Sequence, residues 1–325
     1  MHAVWYDQQG PAEQVLQVGE LPDPHPGRGE VRVRIAYSGI SPGDTKKRRG
    51  WLGSAMPYPR VIPHSDGAGV IDQTGPDVDP TRVGQRVWVY NAQSYRPFGT
   101  AAQYTVVPAV TAVPLPDDVP DTIGACLGIA GITAHRAVFA DGPVDGQTVL
   151  VHGALGAVSS LAAQLARLAG ATVISTVRRA ADLEHLATPL HDRAVSLDTR
   201  EPAASIRQHA PDGVDRVVEV AFSDNIDLDQ AVIHNGSLIA AYATRDDRPG
   251  IPFWPLLFDN ITIRLLGSDD FPARAKHQAA HDLTAAAAQL VIPIAEPFPL
   301  DEAARAHDQV DAGNRNRVLV QLPVS

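Results

Sequence analysis

Cysteine is almost missing: Cys126 stands alone in 325 residues. That excludes an intrachain disulfide and any cysteine-rich zinc cluster, and it suits a reducing cytoplasm. A basic excess is missing as well. The net charge of -10 at pH 7 leaves no cationic surplus to neutralise phosphates, so nucleic acid is not expected as a main partner. No apolar run approaches the ~20 residues that span a bilayer. The start, Met1-His2-Ala3-Val4-Trp5-Tyr6-Asp7, lacks the basic and apolar regions of a secretory signal. A soluble, cytoplasmic protein is the expectation. What is present supports it: 44% hydrophobic and 20% charged residues are globular proportions, and the length suffices for two domains.

The first third reads as β-rich. Val31-Arg32-Val33-Arg34-Ile35 alternates apolar and polar residues, the period of a half-buried strand. Gly67–Ile71, Arg86–Tyr90 and Ala102–Val107 read as further short strands, punctuated by Gly and Pro, which together suggest a compact, barrel-like unit. From about residue 120 strands and helices alternate, the pattern of a parallel sheet with crossover helices. Thr148–His152 is a strand, Val158–Leu168 a helix, Thr172–Val177 a strand and Ala180–Leu186 a second helix. Strands follow at Arg216–Val220, Ser237–Ala241 and Ile261–Leu266, then an Ala-rich helix to about Leu290 and a last strand Arg317–Gln321. The fold class is therefore α/β. The expected division is a discontinuous substrate domain, residues 1–121 and 270–325, around a dinucleotide-binding domain, residues 122–269.

The segment Val149-Leu150-Val151-His152-Gly153-Ala154-Leu155-Gly156-Ala157-Val158-Ser159 carries the most information. A strand runs into a turn of small residues that opens a helix. Backbone N–H groups and the helix dipole at such a start can hold a pyrophosphate, and small residues let the backbone come close. The spacing Gly153-x-x-Gly156-x-x-Ser159 is a degenerate dinucleotide fingerprint; an αβ turn that needs small residues only for packing is the plainer alternative. The next strand ends Thr176-Val177-Arg178-Arg179 with no carboxylate before Asp182. NAD sites usually place an acid there for the ribose hydroxyl, whereas guanidiniums suit a 2′-phosphate. The cofactor expected is NADPH, the alternative being that the arginines sit on a solvated helix start.

On these residues the chain resembles the zinc-independent quinone oxidoreductases (zeta-crystallin-like) of the medium-chain dehydrogenase/reductase superfamily. The resemblance rests on Ser38–Thr45, Ile62–Ile71, Gly99–Tyr104, Gly128–Ala134 and the loop Val149–Ser159, in that order along the chain. It implies a GroES-like substrate domain, a Rossmann domain and a homodimer or homotetramer joined through Rossmann edge strands. It implies Ser41 and Thr133 near the nicotinamide, with Tyr242 and Ala243 at the end of a later strand. Gly153, Leu155, Gly156, Ala157 and Val158 are implied at the pyrophosphate, and Thr176, Arg178 and Arg179 at the adenosine ribose and its phosphate. The chain departs from the family at Ala157 and Ser159, where glycines are usual, at Ser41 in place of an asparagine, at Lys46 in place of a tyrosine, and at Ala243 where relatives often have glycine.

The zinc alcohol dehydrogenases share this architecture, but their first cysteine position is Ser41 here and their ligand histidine is Ser65. A neutral hydroxyl is a poor zinc ligand, so no metal is expected. His64 is either a polar group near the substrate or a residue that orders the Ser65-Asp66 turn; Asp44 and Asp66 are read as caps. Lys46 heads the basic run Lys46-Lys47-Arg48-Arg49, which is either a solvated helix face or, through Lys46, a source of positive charge for an oxyanion. Glu219 is open between bracing and cofactor contact. The candidate catalytic residues are thus Ser41 and Lys46. The reading reached is NADPH-dependent reduction of quinones by hydride transfer without zinc. The alternatives are an enone or 2-alkenal reductase of the same superfamily, or a low-turnover NADPH-binding sensor or RNA-associated protein.

Overall fold

The computed structural model describes residues 1–187, 190–313 and 315–323. The chain divides into two units, Met1–Ala130 with Lys276–Ser325, and Gly131–Ala275.

In the first unit the long strand Glu30–Ile40 is the spine. Strand Asp66–Thr74, strand Tyr104–Pro108 and the late strand Val318–Gln321 all pair with it antiparallel. The seven-stranded sheet continues through Arg86–Val89 and Ala112–Pro114 at one side and Phe298–Pro299 at the other. Alternation along the spine puts Val31, Val33 and Ile35 into one core with Ile71, Val87, Val89, Val318 and Val320. Each such fully buried side chain stabilises by about 1.5–3 kcal/mol. Two register shifts, after Arg32 and after Ile35, increase the local twist that a curved sheet needs. A separate hairpin pairs His2–Trp5 with Gln17–Glu20, and single bridges at Ala3–Ala102 and Tyr6–Val61 tie this segment to the unit.

The second unit is a six-stranded parallel sheet. Its order is Arg193–Ser196, Thr172–Val177, Thr148–Val151, Val214–Glu219, Ile233–Ala241, Thr262–Leu265. Buried runs such as Val149-Leu150-Val151 and Val217-Val218 reflect strands covered on both faces, where alternation is lost. The first strand in sequence lies beside the fourth, so the order reverses there, which is the doubly wound arrangement with its switch point. The segment expected as a helix over Ala180–Leu186 is a 3-10 helix, Ala180–His185. The Asp198 carboxylate accepts the Ala180 N–H at 3.1 Å, and the Asp182 N–H turns back to the Arg179 carbonyl at 2.9 Å, which favours tight i→i+3 turns over an α-helix. No helix among the described residues is long and apolar enough to cross a membrane.

Candidate active site and cofactor-binding loop

In the second unit the strand Thr148–Val151 delivers the chain to the switch point, and the helix Ala157–Leu168 leaves it. Gly153 adopts φ 63°, a left-handed turn that glycine adopts without steric cost. A Cβ at that position would also meet Val220 Cγ1 at 3.0 Å. Gly156 is the N-cap and offers no side chain; it is exposed, while Gly153, Leu155, Ala157 and Val158 are half-buried around it. The first intrahelical bond runs from Ser160 N–H to the Gly156 carbonyl at 2.8 Å. The N–H groups of Ala157, Val158 and Ser159 precede it and have no intrahelical acceptor. A small-walled turn with free first-turn donors at a helix start fits a pyrophosphate. Ala157 is the first residue of that helix.

Ser159, at a position where glycine is usual, is fully buried. Its hydroxyl donates to the His152 carbonyl at 2.6 Å and meets the Tyr242 hydroxyl at 2.7 Å. The helix start is thereby tied to the carboxyl end of strand Ile233–Ala241. Tyr242 in turn donates its N–H to the Glu219 carbonyl at 3.1 Å, and the Ala243 carbonyl accepts from Phe222. Burial pushes the Tyr242 phenol far above its ordinary range, so it stays a neutral hydrogen-bonding group.

Thr176, in the strand that precedes Arg178, holds the loop in place. It is fully buried, and its hydroxyl is engaged with His152 Nδ1 at 2.9 Å and the Gly153 N–H at 3.4 Å. It braces the loop through these contacts. Arg178 and Arg179, at the end of the same strand, are exposed. Arg179 leans on the buried Asp182 at 3.4 Å, whereas Arg178 forms no ion pair among the described residues. Thr133 lies buried in the helix Ile129–Phe139.

Under the loop sits a polar cluster that the sequence reading did not assemble. His152 Nε2 bonds Asp229 Oδ1 at 2.9 Å and lies 3.7 Å from Glu219 Oε2, with all three side chains fully buried. Glu219 also accepts from Asn225 at 3.1 Å and from the Ala221 N–H. Burial works to lower the His152 pKa, but the Asp229 bond and the charges of Asp229 and Glu219 outweigh it, and the ring is held above its usual range. Burial pushes the Glu219 carboxyl up to about 7. Of the two roles open for Glu219, bracing is the one its contacts display. Asp229 was detectable in sequence: helix Phe222–Val232 buries Phe222, Ile226, Asp229 and Val232, so a charge occupies the apolar stripe. These three groups lie close enough to hold an ion, but His152 and Glu219 already have neighbours that satisfy them.

In the first unit Ser41 caps the helix Pro42–Arg49 and donates its N–H to Asp44 Oδ2 at 2.7 Å. Asp66 caps another helix, accepting the Ile129 N–H at 2.8 and 3.0 Å. Gly128 is obligatory beside it, since a Cβ there would fall 2.1 Å from Asp66 Oδ1. Burial raises the Asp66 pKa to about 7, the Asp44 charge adds to the rise, and Arg317, the Ile129 N–H and Ser41 oppose it. His64 spends both ring nitrogens internally, on Ser38 Oγ at 2.8 Å and on His307 Nε2 at 2.8 Å. His307 is a partner that no motif or spacing announces. Lys46 is half-buried with its ammonium 4.4 Å from the Trp51 ring centre. The structure thus groups Gly153, Leu155, Gly156, Ala157, Val158, Thr176 and Tyr242 in the second unit, and Ser41 and Lys46 on one helix of the first.

Residues 27–117 match the alcohol dehydrogenase GroES-like domain. The quinone oxidoreductase of Mus musculus is 27% identical over 324 residues, covering 97% of this chain and 95% of that one. The similarity to quinone oxidoreductases thus runs over nearly the whole chain. The chain is also 31% identical to prostaglandin reductase-3 of Bos taurus over 211 residues, 64% of this chain and 54% of that one. The crystal structure of Escherichia coli quinone oxidoreductase, complexed with NADPH, superposes with a TM-score of 0.86 at 19% identity, covering 99% of this chain and all of that one. At that identity the superposition speaks for the fold alone.

Proposed function

We propose that the protein reduces quinones with NADPH and without zinc. The observation that carries the reading is the turn at Gly153 and Gly156, with its free first-turn N–H groups, next to a strand that ends in the exposed Arg178. Gly153, Leu155, Gly156, Ala157 and Val158 would hold the pyrophosphate. Arg178 would pair with the 2′-phosphate, and Arg179 would contribute less because Asp182 shares its charge. When bound, the reduced nicotinamide supplies a hydride to the acceptor carbonyl system, and one proton from solvent completes the two-electron reduction. Ser41 is proposed at the acceptor oxygen and Lys46 beside it, where a cation stabilises developing negative charge. Catalysis then rests on orientation and electrostatics. Similarity to a prostaglandin reductase over part of the chain supports an enone acceptor as the second reading.

A second copy of the chain is the proposed partner. Strand Thr262–Leu265 is an edge of the parallel sheet, and the neighbouring exposed side chains Trp254, Phe258 and Leu265 form the kind of edge that proteins ordinarily cover.

The test is NADPH oxidation at 340 nm with 1,4-benzoquinone, 9,10-phenanthrenequinone and a simple enone, beside NADH and with a chelator. Chelator-resistant turnover that prefers NADPH is expected, and Arg178→Ala should erase most of that preference. Saturable NADPH binding with no turnover of any acceptor would sink the reading.

A further inference from the structure

The basic run of helix Pro42–Arg49 is not one uniform face. Arg48 and Arg49 both pair with Asp311, at 2.8 and 3.3 Å, and Lys47 reaches Gln93 Oε1 at 3.4 Å. Lys46 alone in this run is turned onto an aromatic ring, Trp51, and has no carboxylate partner among the described residues. Its burial and the nearby Arg49 both lower its pKa, so the ammonium sits in surroundings that lack a counter-charge. A half-buried cation of this kind gains from an anion that comes to it.

The surroundings of Lys46 are suited to a flat ligand. Lys47 ties the helix to the loop at Gln93, and the Tyr58 hydroxyl ties the following loop to the Tyr95 carbonyl. This connected group of loops exposes Trp51 by 47%, Tyr95 by 69% and Phe98 by 45%, in a chain with only 6% aromatic residues. The exposed Trp51 ring under a cation without a carboxylate partner offers stacking surface and charge together. We propose that Lys46, held over Trp51, is a specificity-determining residue that selects a flat conjugated carbonyl acceptor bearing an anionic group, such as a carboxylate. The inference rests on the reading of this unit as the acceptor-binding part of a reductase, and it names the acceptor class.

The experiment compares 1,2-naphthoquinone with its 4-sulfonate in wild type, Lys46→Met and Lys46→Arg. Wild type should favour the sulfonate in kcat/KM, mainly through KM. The ratio of the two acceptors should fall about tenfold, the equivalent of one charge-assisted contact, in Lys46→Met and far less in Lys46→Arg. Quenching of tryptophan fluorescence by the sulfonate, measured without cofactor, should weaken in Lys46→Met by a similar factor. An unchanged ratio, or a wild type indifferent to the sulfonate, overturns the proposal. Absence of turnover with both quinones would count against the reductase reading instead, and the quenching titration would still decide for or against Lys46.

Discussion

The two units each bury a histidine completely, and the two are held in opposite ways. In the first unit His64 meets another histidine, His307, at 2.8 Å, with Ser38 on its other nitrogen. In the second, His152 meets Asp229 at 2.9 Å, with Glu219 behind it and Thr176 on its other nitrogen. Burial alone disfavours the charged ring in both. Without an acid nearby it prevails: His64 is pushed down to about 3, and His307 well below its ordinary value by burial, then by His64 and Arg48. With two acids nearby it loses, and His152 is raised. Burial sets the cost of a charge, and the partner decides whether the cost is met. The first pair is neutral, with one ring donating and the other accepting. The second centre is a histidine held by acids beneath the loop at Gly153.

The largest expected effect comes from removing the anchor. Asp229→Ala leaves His152 buried without its carboxylate, and breaking a buried charged pair from one side costs about 3–5 kcal/mol. Urea unfolding followed by circular dichroism should show that loss at pH 7, with weaker NADPH binding because the strand-to-loop support goes with it. A loss below about 1 kcal/mol would mean that His152 is held by packing and not by charge.

Next is acid sensitivity. His64 and His307 have folded pKa values below the usual 6.5. Their stability contribution is therefore present above pH 6.5 and is lost as pH falls below it, where only the unfolded chain binds the protons. Each contributes about 1.4 kcal/mol per pH unit in that range, and the pair about twice this. Trp88 is buried in this unit while Trp254 of the other is exposed, so fluorescence-detected unfolding between pH 7 and 5.5 follows the first unit. His307→Asn, which keeps a partner for His64, should roughly halve the slope. An acid slope as steep in the variant as in wild type would remove the pair from the account.

Glu219 provides the opposite sign. Its folded pKa is raised from 4.5 to about 7, so its contribution is present below 4.5 and is lost as pH rises through 7. Glu219→Gln keeps an acceptor for Asn225 and the Ala221 N–H but cannot ionise. Measured as Tm at pH 5 and pH 8, the difference between variant and wild type should move in the variant's favour at the higher pH. A constant difference would show that Glu219 does not titrate in this range.

Most of this molecule is legible in its sequence, and the two histidine centres mark where that stops. Alternation located Val31–Ile35, and apolar runs located Thr148–Val151 and Thr172–Val177, because burial on one face or two leaves a periodic trace. Gly153 announced a turn because few other residues adopt its left-handed backbone. The α/β class followed from the order of these elements. Sheet partners across long separations leave no such trace. The contact between His64 and His307 spans 243 residues, and neither residue carries a mark of the other. The contacts of Thr176 are hidden for a related reason: its place at a strand end is visible, but not which way its hydroxyl turns. Asp229 is different. It stands in line with Phe222, Ile226 and Val232 at helical spacing, a signal that can be read once the helix is known, and the fold supplies its partner.

The smallest effect sharpens the comparison at its uncharged limit. Ser159 and Tyr242 share a hydrogen bond of 2.7 Å at the same loop that His152 supports, yet neither is ionised. Tyr242→Phe removes that bond and leaves Ser159 still donating to the His152 carbonyl, so no buried donor is stranded. A neutral bond of this kind contributes about 1 kcal/mol net, and urea unfolding should find a loss of that size with no pH dependence between 5 and 8. If Tyr242→Phe cost as much as Asp229→Ala, charge would not be what distinguishes the anchor. The loop would then be held by the sum of its contacts, and the contrast between the two histidines would concern titration only, not the support of the site.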